Sequence, residues 1–168
     1  MWVLEIIDAV SRANLDSYGI RPRSADGLTG IVLAPLLHAG FGHLLANTVP
    51  FFVLGVLVAA EGHRRFWRTT AVVVALGGLG TWLLGDPSTV VIGASSLVFG
   101  YLTYLLARAF WSRRPTYALI AVLVLVLYGG LLLGVLPGTP GVSWQGHLSG
   151  ALAGVVAARL GHGRRPPG

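Results

Sequence analysis

The chain has 168 residues, 54% of them hydrophobic and 11% charged, with a mean hydropathy of +0.74. Soluble domains carry about 25% charged residues, so this composition excludes an ordinary water-soluble enzyme and fits one polytopic membrane domain. The net charge of +6 comes from twelve arginines set in short loops rather than on one aromatic-laced face, which argues against a nucleic-acid partner, and the absence of cysteine excludes disulfides, thiolate metal sites and a cysteine nucleophile.

The chain opens "MWVLEIIDAV", which lacks a basic leader and a small-residue cleavage site and so does not read as a signal peptide. Ten residues make about 15 Å of helix, half of a bilayer core, and they include Glu5 and Asp8. Residues 1–10 are therefore expected to be the outer end of a partial first transmembrane helix whose start is missing, with an interfacial helix as the alternative. Residues 11–39 read as an outer loop region. Five apolar segments follow, at 40–60, 68–84, 95–110, 116–136 and 145–161, each near the ~20 residues that span a bilayer. A tail, 162–168, ends the chain.

"EGHRRFWR", "GDPSTVV", "WSRRPT" and "PGTPGVS" separate these segments. Arg64, Arg65, Arg68, Arg108, Arg113, Arg114, Arg159, Arg164 and Arg165 fall at alternate connections or in the tail, and only Arg12, Arg21 and Arg23 lie elsewhere. Positive charge stays inside. The 61–68 and 111–115 loops and the C-terminus are thus expected in the cytoplasm, and 11–39, 85–92 and 137–144 outside. The expected architecture is an all-α transmembrane bundle with five complete spans in residues 40–161, forming one membrane domain over 1–168.

Polar side chains within such spans are costly and mark function by default. "FGHLLANTVPFF" places His43 and Asn47 four apart on one helix face, "VIGASSLVFG" puts Ser95 and Ser96 at the mouth of a span, and "WQGHLSGALAG" puts His147 one turn into the last. All three segments enter from the outer side by the charge argument, so these groups lie within about two turns, ~11 Å, of one boundary. Small residues suggest which helices touch. Ser96, Gly100, Thr103 and Ala107 share a face, and Gly150 and Gly154 form a GxxxG pair, faces that let backbones approach closely in lipid. Packed together, they would bring His147 to Ser95, a hydroxyl that needs an adjacent base to become a nucleophile.

"HAGFGHLLAN" (38–47), "GAS" (93–95) and "HLSGALAG" (147–154), in that order on three spans, resemble the rhomboid intramembrane serine proteases. The resemblance runs from "YGIRPRS" onward and implies a six-helix core, here with a short or truncated first helix, and a Ser–His catalytic dyad. It makes Ser95 the nucleophile and His147 the general base, with His43 and Asn47 stabilising the oxyanion and Gly93 as the loop glycine before the serine. It gives His38 a structural role only. It also implies a multi-pass membrane protein whose partners are transmembrane protein substrates and the lipid bilayer, with no cofactor; arginine without lysine, with abundant Gly, Ala and Val, points separately to a bacterial gene and so to the bacterial plasma membrane. Ser96 stands where the family usually has glycine; its side chain would either narrow the oxyanion site or cap the helix.

Blander readings stand beside these. Ser95 can be a helix cap, His147 a satisfied core histidine, and the His43–Asn47 pair interhelical glue. Ser96 points about 100° away from Ser95. A zinc site of His38, His43 and His147 lacks both HExxH and a nearby carboxylate, so no metal is expected. Trp67, Trp82, Trp111 and Trp144 read as interfacial anchors and Pro50 as a tolerated kink. Asp86 lies in an outer loop with nothing to place it behind His147. Two function classes follow: an intramembrane serine endopeptidase, or a non-catalytic rhomboid-like protein that binds membrane clients.

Overall fold

The computed structural model describes residues 1–11 and 13–162 and is helical throughout, with a single isolated bridge, Ile20 to Val91, as its extended pairing. A short first helix, α1 (Trp2–Ser11), precedes five long ones: α2 (Phe41–Ala59), α3 (His63–Leu84), α4 (Ser95–Ser112), α5 (Pro115–Val135) and α6 (Trp144–His162). These five fall on the five apolar segments. Arg164 and Arg165 lie outside the described residues.

Helix ends follow local chemistry. Gly40 and Gly62 precede α2 and α3, and Arg113 stops α4 in a left-handed turn at φ 52°. Pro115 then starts α5 at the first helical position, where its missing N–H costs nothing. Ser143 caps α6: its Oγ accepts the Gly146 N–H at 3.2 Å and its carbonyl the His147 N–H at 3.1 Å. Within α3 the turn Val73–Gly77 is a π-helix, and α5 tightens to a 3₁₀ helix over Gly129–Val135.

Among the described residues, α2, α3 and α5 are long and apolar enough to cross a membrane by themselves. Helices α4 and α6 are less apolar because they form the centre of the bundle and face protein. Leu97, Val98, Tyr101, Leu102, Tyr104 and Leu105 of α4 pack with Ala153, Ala157 and Ala158 of α6 in the main core. The small-residue faces mesh as their spacing predicts. A methyl group on Gly154 would overlap the Gly100 carbonyl and Thr103 Oγ1, and one on Gly150 would overlap the Ser96 carbonyl. Thr103 Oγ1 also donates across the interface to the Ala151 carbonyl at 2.7 Å. Thr103→Val is expected to cost about 0.6–1.7 kcal/mol, the range for such bonds in membrane bundles, read as a lowered thermal midpoint in detergent.

The loop 11–39 docks on the end of the bundle where α4 begins. The Ile20 N–H donates to the Val91 carbonyl at 2.9 Å, Arg23 Nη2 to the Gly85 carbonyl at 3.1 Å, and Trp82 Nε1 to the Ser24 carbonyl at 2.8 Å. Trp82 is thus a tether for this loop as well as a residue at a helix end. Helix α1 leans on α2 through Trp2, whose Nε1 donates to Thr48 Oγ1 at 3.2 Å. At the opposite end, Arg108 is not the loop residue that charge counting makes it. It is buried in α4, its Nε donating to Glu61 Oε2 at 3.2 Å, while Tyr104 OH donates to the same oxygen at 3.1 Å.

Candidate functional site

Three chain segments build the site at the end of the bundle that carries loop 11–39. The stretch ending in Gly93 and Ala94 delivers Ser95 as the first residue of α4. Gly93 adopts φ +111°, where L side chains are strained, and a Cβ there would stand 2.7 Å from His43 Cε1 and 2.8 Å from its Nε2. Only glycine lets the chain turn this tightly against an imidazole. The turn is pinned from behind: the Gly93 N–H donates to the Ala34 carbonyl at 2.9 Å, and the Ala94 N–H to His38 Nε2 at 3.4 Å. His38 therefore holds the backbone that presents Ser95, a structural role in keeping with its expectation.

On α2, His43 and Asn47 share a face, and Asn47 Nδ2 donates to the His43 carbonyl at 2.9 Å. That leaves the second amide N–H of Asn47 for another acceptor. The Ala39 N–H donates to His43 Nδ1 at 3.4 Å, so the ring proton of a neutral His43 sits on Nε2, on the side facing Gly93. The first N–H groups of α4 have no carbonyl one turn back within the helix. Donors from two helices thus converge beside Ser95.

His147 enters from α6. Its ring lies flat on Phe99, with centroids 4.2 Å apart and planes 13° from parallel, and its Nδ1 is 2.9 Å from the Gly134 carbonyl. Ser95, His147, His43, Asn47, Phe99 and Gln145 all line one cavity of about 830 Å³. Among the described residues, no hydrogen bond joins Ser95 to His147; the bonded partner of the ring is Gly134.

Ser96 belongs elsewhere. Its Oγ is buried without a partner in the helix crossing, where a Cβ on Gly77 would be 2.8 Å and one on Gly150 2.7 Å away. Neither serine hydroxyl caps α4. Asp86 is also occupied apart from His147: its Oδ1 accepts the Ser88 N–H at 2.9 Å and the Ser88 hydroxyl at 2.7 Å, bonds that hold its carboxyl below the usual range. Among the described residues, no three His, Asp or Glu side chains group as metal ligands.

Sequence reasoning passed over Phe99, Gly134 and Ser143. Phe99 was open to inference, since it stands four residues after Ser95 on the same helix face. The Gly134 carbonyl was not, because a main-chain acceptor leaves no trace in residue type.

The Rhomboid domain model matches residues 25–164. An uncharacterized protein of Mycobacterium tuberculosis is 50% identical over 168 residues, covering 95% of this chain and 70% of its own. The chloroplastic rhomboid-like protein 11 of Arabidopsis thaliana is 32% identical over 151 residues, 77% of this chain and 51% of that one. A putative rhomboid protease of Bacillus subtilis is 38% identical over 66 residues, 39% of this chain and 33% of its own. No solved structure matches at a significant level. With a family match running from the docked loop through the last helix, over a helical bundle whose central pair meshes through glycines, the chain belongs to the rhomboid family.

Proposed function

We propose that this rhomboid-family membrane protein is a serine endopeptidase that cuts transmembrane segments of other membrane proteins. Ser95 Oγ attacks the peptide carbonyl carbon while His147 takes the hydroxyl proton and later gives it to the departing amine. The Ser95 N–H, Asn47 Nδ2 and His43 Nε2 bind the tetrahedral oxyanion. Water entering the same cavity then hydrolyses the acyl-enzyme, with His147 again as base. No metal or cofactor enters this scheme.

The observation that carries the reading is convergence: a serine, an imidazole and two sets of oxyanion donors, from three helices, line one cavity. The exposed α5 and the loop 137–144 are the elements that would admit a substrate helix sideways. The arginines at 64, 65, 68, 113, 114 and 159 support a single multi-pass domain, 1–168, in the bacterial plasma membrane with the C-terminus in the cytoplasm and the cavity outside.

The second reading, a protein that binds membrane clients without cutting them, draws on one feature: among the described residues no hydrogen bond joins Ser95 to His147, although the Gly134 carbonyl engages only Nδ1 of the ring. Labelling with a serine-reactive fluorophosphonate separates the two. Labelling of the wild type that is lost in Ser95→Ala and His147→Ala, and kept in Ser96→Ala, is expected. No labelling of folded protein would favour the client-binding reading, and labelling that disappears only in Ser96→Ala would overturn the choice of nucleophile. Gly93→Ala is expected to push His43 out of place and slow labelling by roughly 10²-fold, the scale of one lost oxyanion donor.

A further inference from the structure

The His147 ring is fixed by two contacts that use no carboxylate. Phe99 lies beneath it, one turn after Ser95 on α4, and sets the plane of the ring. The Gly134 carbonyl, 2.9 Å from Nδ1, sets its rotation. A carbonyl oxygen only accepts, so Nδ1 carries the proton, and a neutral imidazole then has its lone pair on Nε2. In serine hydrolases with a third member, a buried acid performs this service. Here, among the described residues, no acidic side chain hydrogen-bonds His147.

Gly134 belongs to the 3₁₀ turn that ends α5. That helix is the least buried of the long five. Ile120, Val124, Tyr128, Leu131 and Leu132 pack inward, while Leu119, Val126 and Leu133 are at least 70% exposed on its outer side. The approach at Gly134 is close: a Cβ there would stand 3.0 Å from Phe99 Cζ and 3.1 Å from His147 Nδ1.

We propose that the Gly134 carbonyl is the positioning group of His147, and that it makes the base's alignment conditional on the end of α5 being seated against α6. The proposal rests on the reading of His147 as general base. A hydrogen bond of this length is lost when the partners separate by less than about 1 Å. An α5 displaced by an entering helix thus frees the ring to rotate and exchange tautomers, so that the Nε2 lone pair that would take the Ser95 proton is no longer held in place. Attack waits until α5 closes on the substrate, so a site open to lipid and water stays idle. The device needs no charge, which suits a group buried at membrane depth.

The test combines ring-nitrogen NMR of histidine-labelled protein with fluorophosphonate labelling, for the wild type, Gly134→Ala and Gly130→Ala. Gly130 lies in the same 3₁₀ turn and a Cβ on it would meet nothing within 4 Å, so it controls for the change from glycine itself. In the wild type, the signal that vanishes in His147→Gln should be a neutral ring protonated at Nδ1. Gly134→Ala should shift that signal toward the Nε2-protonated form and slow labelling at least about tenfold, with Gly130→Ala matching the wild type in both. A wild-type ring protonated at Nε2 overturns the proposal whether or not Gly134→Ala folds. Labelling and tautomer unchanged in Gly134→Ala also overturn it, while leaving the protease reading intact. A folded wild type that never labels defeats the protease reading itself, and with it the role given to Gly134, whatever the tautomer.

Discussion

Gly154→Ala is expected to destabilise the bundle by more than about 3 kcal/mol, at the upper end of overpacking costs. The added methyl would occupy space already held by the Gly100 carbonyl and Thr103 Oγ1. One of these is main chain in the middle of α4, so no rotamer change makes room. The helices must part, and the Thr103 bond to the Ala151 carbonyl and the core contacts of Tyr104, Leu105 and Ala157 part with them. Gly42→Ala, at the second residue of α2, is the control, because a Cβ there meets nothing within 4 Å. Its expected effect is small and of opposite sign, a gain of less than about 1 kcal/mol, because the full propensity difference between Ala and Gly applies only in a helix interior. Thermal unfolding of both variants in detergent checks the pair; equal midpoints would mean that α4 and α6 do not meet through these glycines.

Arg108→Met is expected to cost about 3–5 kcal/mol, the penalty for leaving a buried charge without its partner. Glu61 would keep Tyr104 and the longer, more exposed contact to Arg65 at 3.5 Å, which places the loss toward the lower figure. One carboxylate oxygen, Glu61 Oε1, is already buried without a partner. Removing the negative charge as well should therefore relieve the damage: Arg108→Met with Glu61→Gln is expected to be more stable than Arg108→Met alone. A double-mutant cycle on unfolding midpoints reads this directly. A double variant that loses the sum of the two single losses would show the pair to be uncoupled.

The buried pair shows where counting charges along a chain stops being informative. Arg108 is counted with Arg113 and Arg114 as part of a basic loop, since all lie near the end of an apolar run. Its guanidinium instead closes the junction between α4 and the α2–α3 connection, where Glu61 waits 47 residues away. Charge alone does not distinguish a snorkelling arginine from a buried one. The partner does, and the partner is remote in sequence.

Much of the fold was legible because bilayer helices announce themselves by length and hydropathy, and because small residues four apart mark the faces that touch. The GxxxG pair on α6 and the Ser96–Gly100–Thr103 face on α4 meet as their spacing requires. The lower hydropathy of α4 and α6, which the five-segment reading did not separate, has its cause in burial against protein. In the candidate site, His43, Asn47, Ser95 and His147 stand out by residue type and order, since polar groups in lipid-spanning segments are costly, whereas Gly93 comes only through the resemblance to the rhomboid family.

By itself, then, the amino-acid order determined which segments are helices, which helices pack, and which polar side chains lie within the spans. Those properties reside in residue type and in spacing along one chain segment. Tertiary structure alone decided that Arg108 is buried on Glu61, and that His147 lies on Phe99 under the Gly134 carbonyl. These depend on how far one helix is rotated and raised against another, to within an ångström. Main-chain carbonyls and ring-stacking partners acquire their roles only at that distance, because every residue has a carbonyl and position alone makes one of them matter.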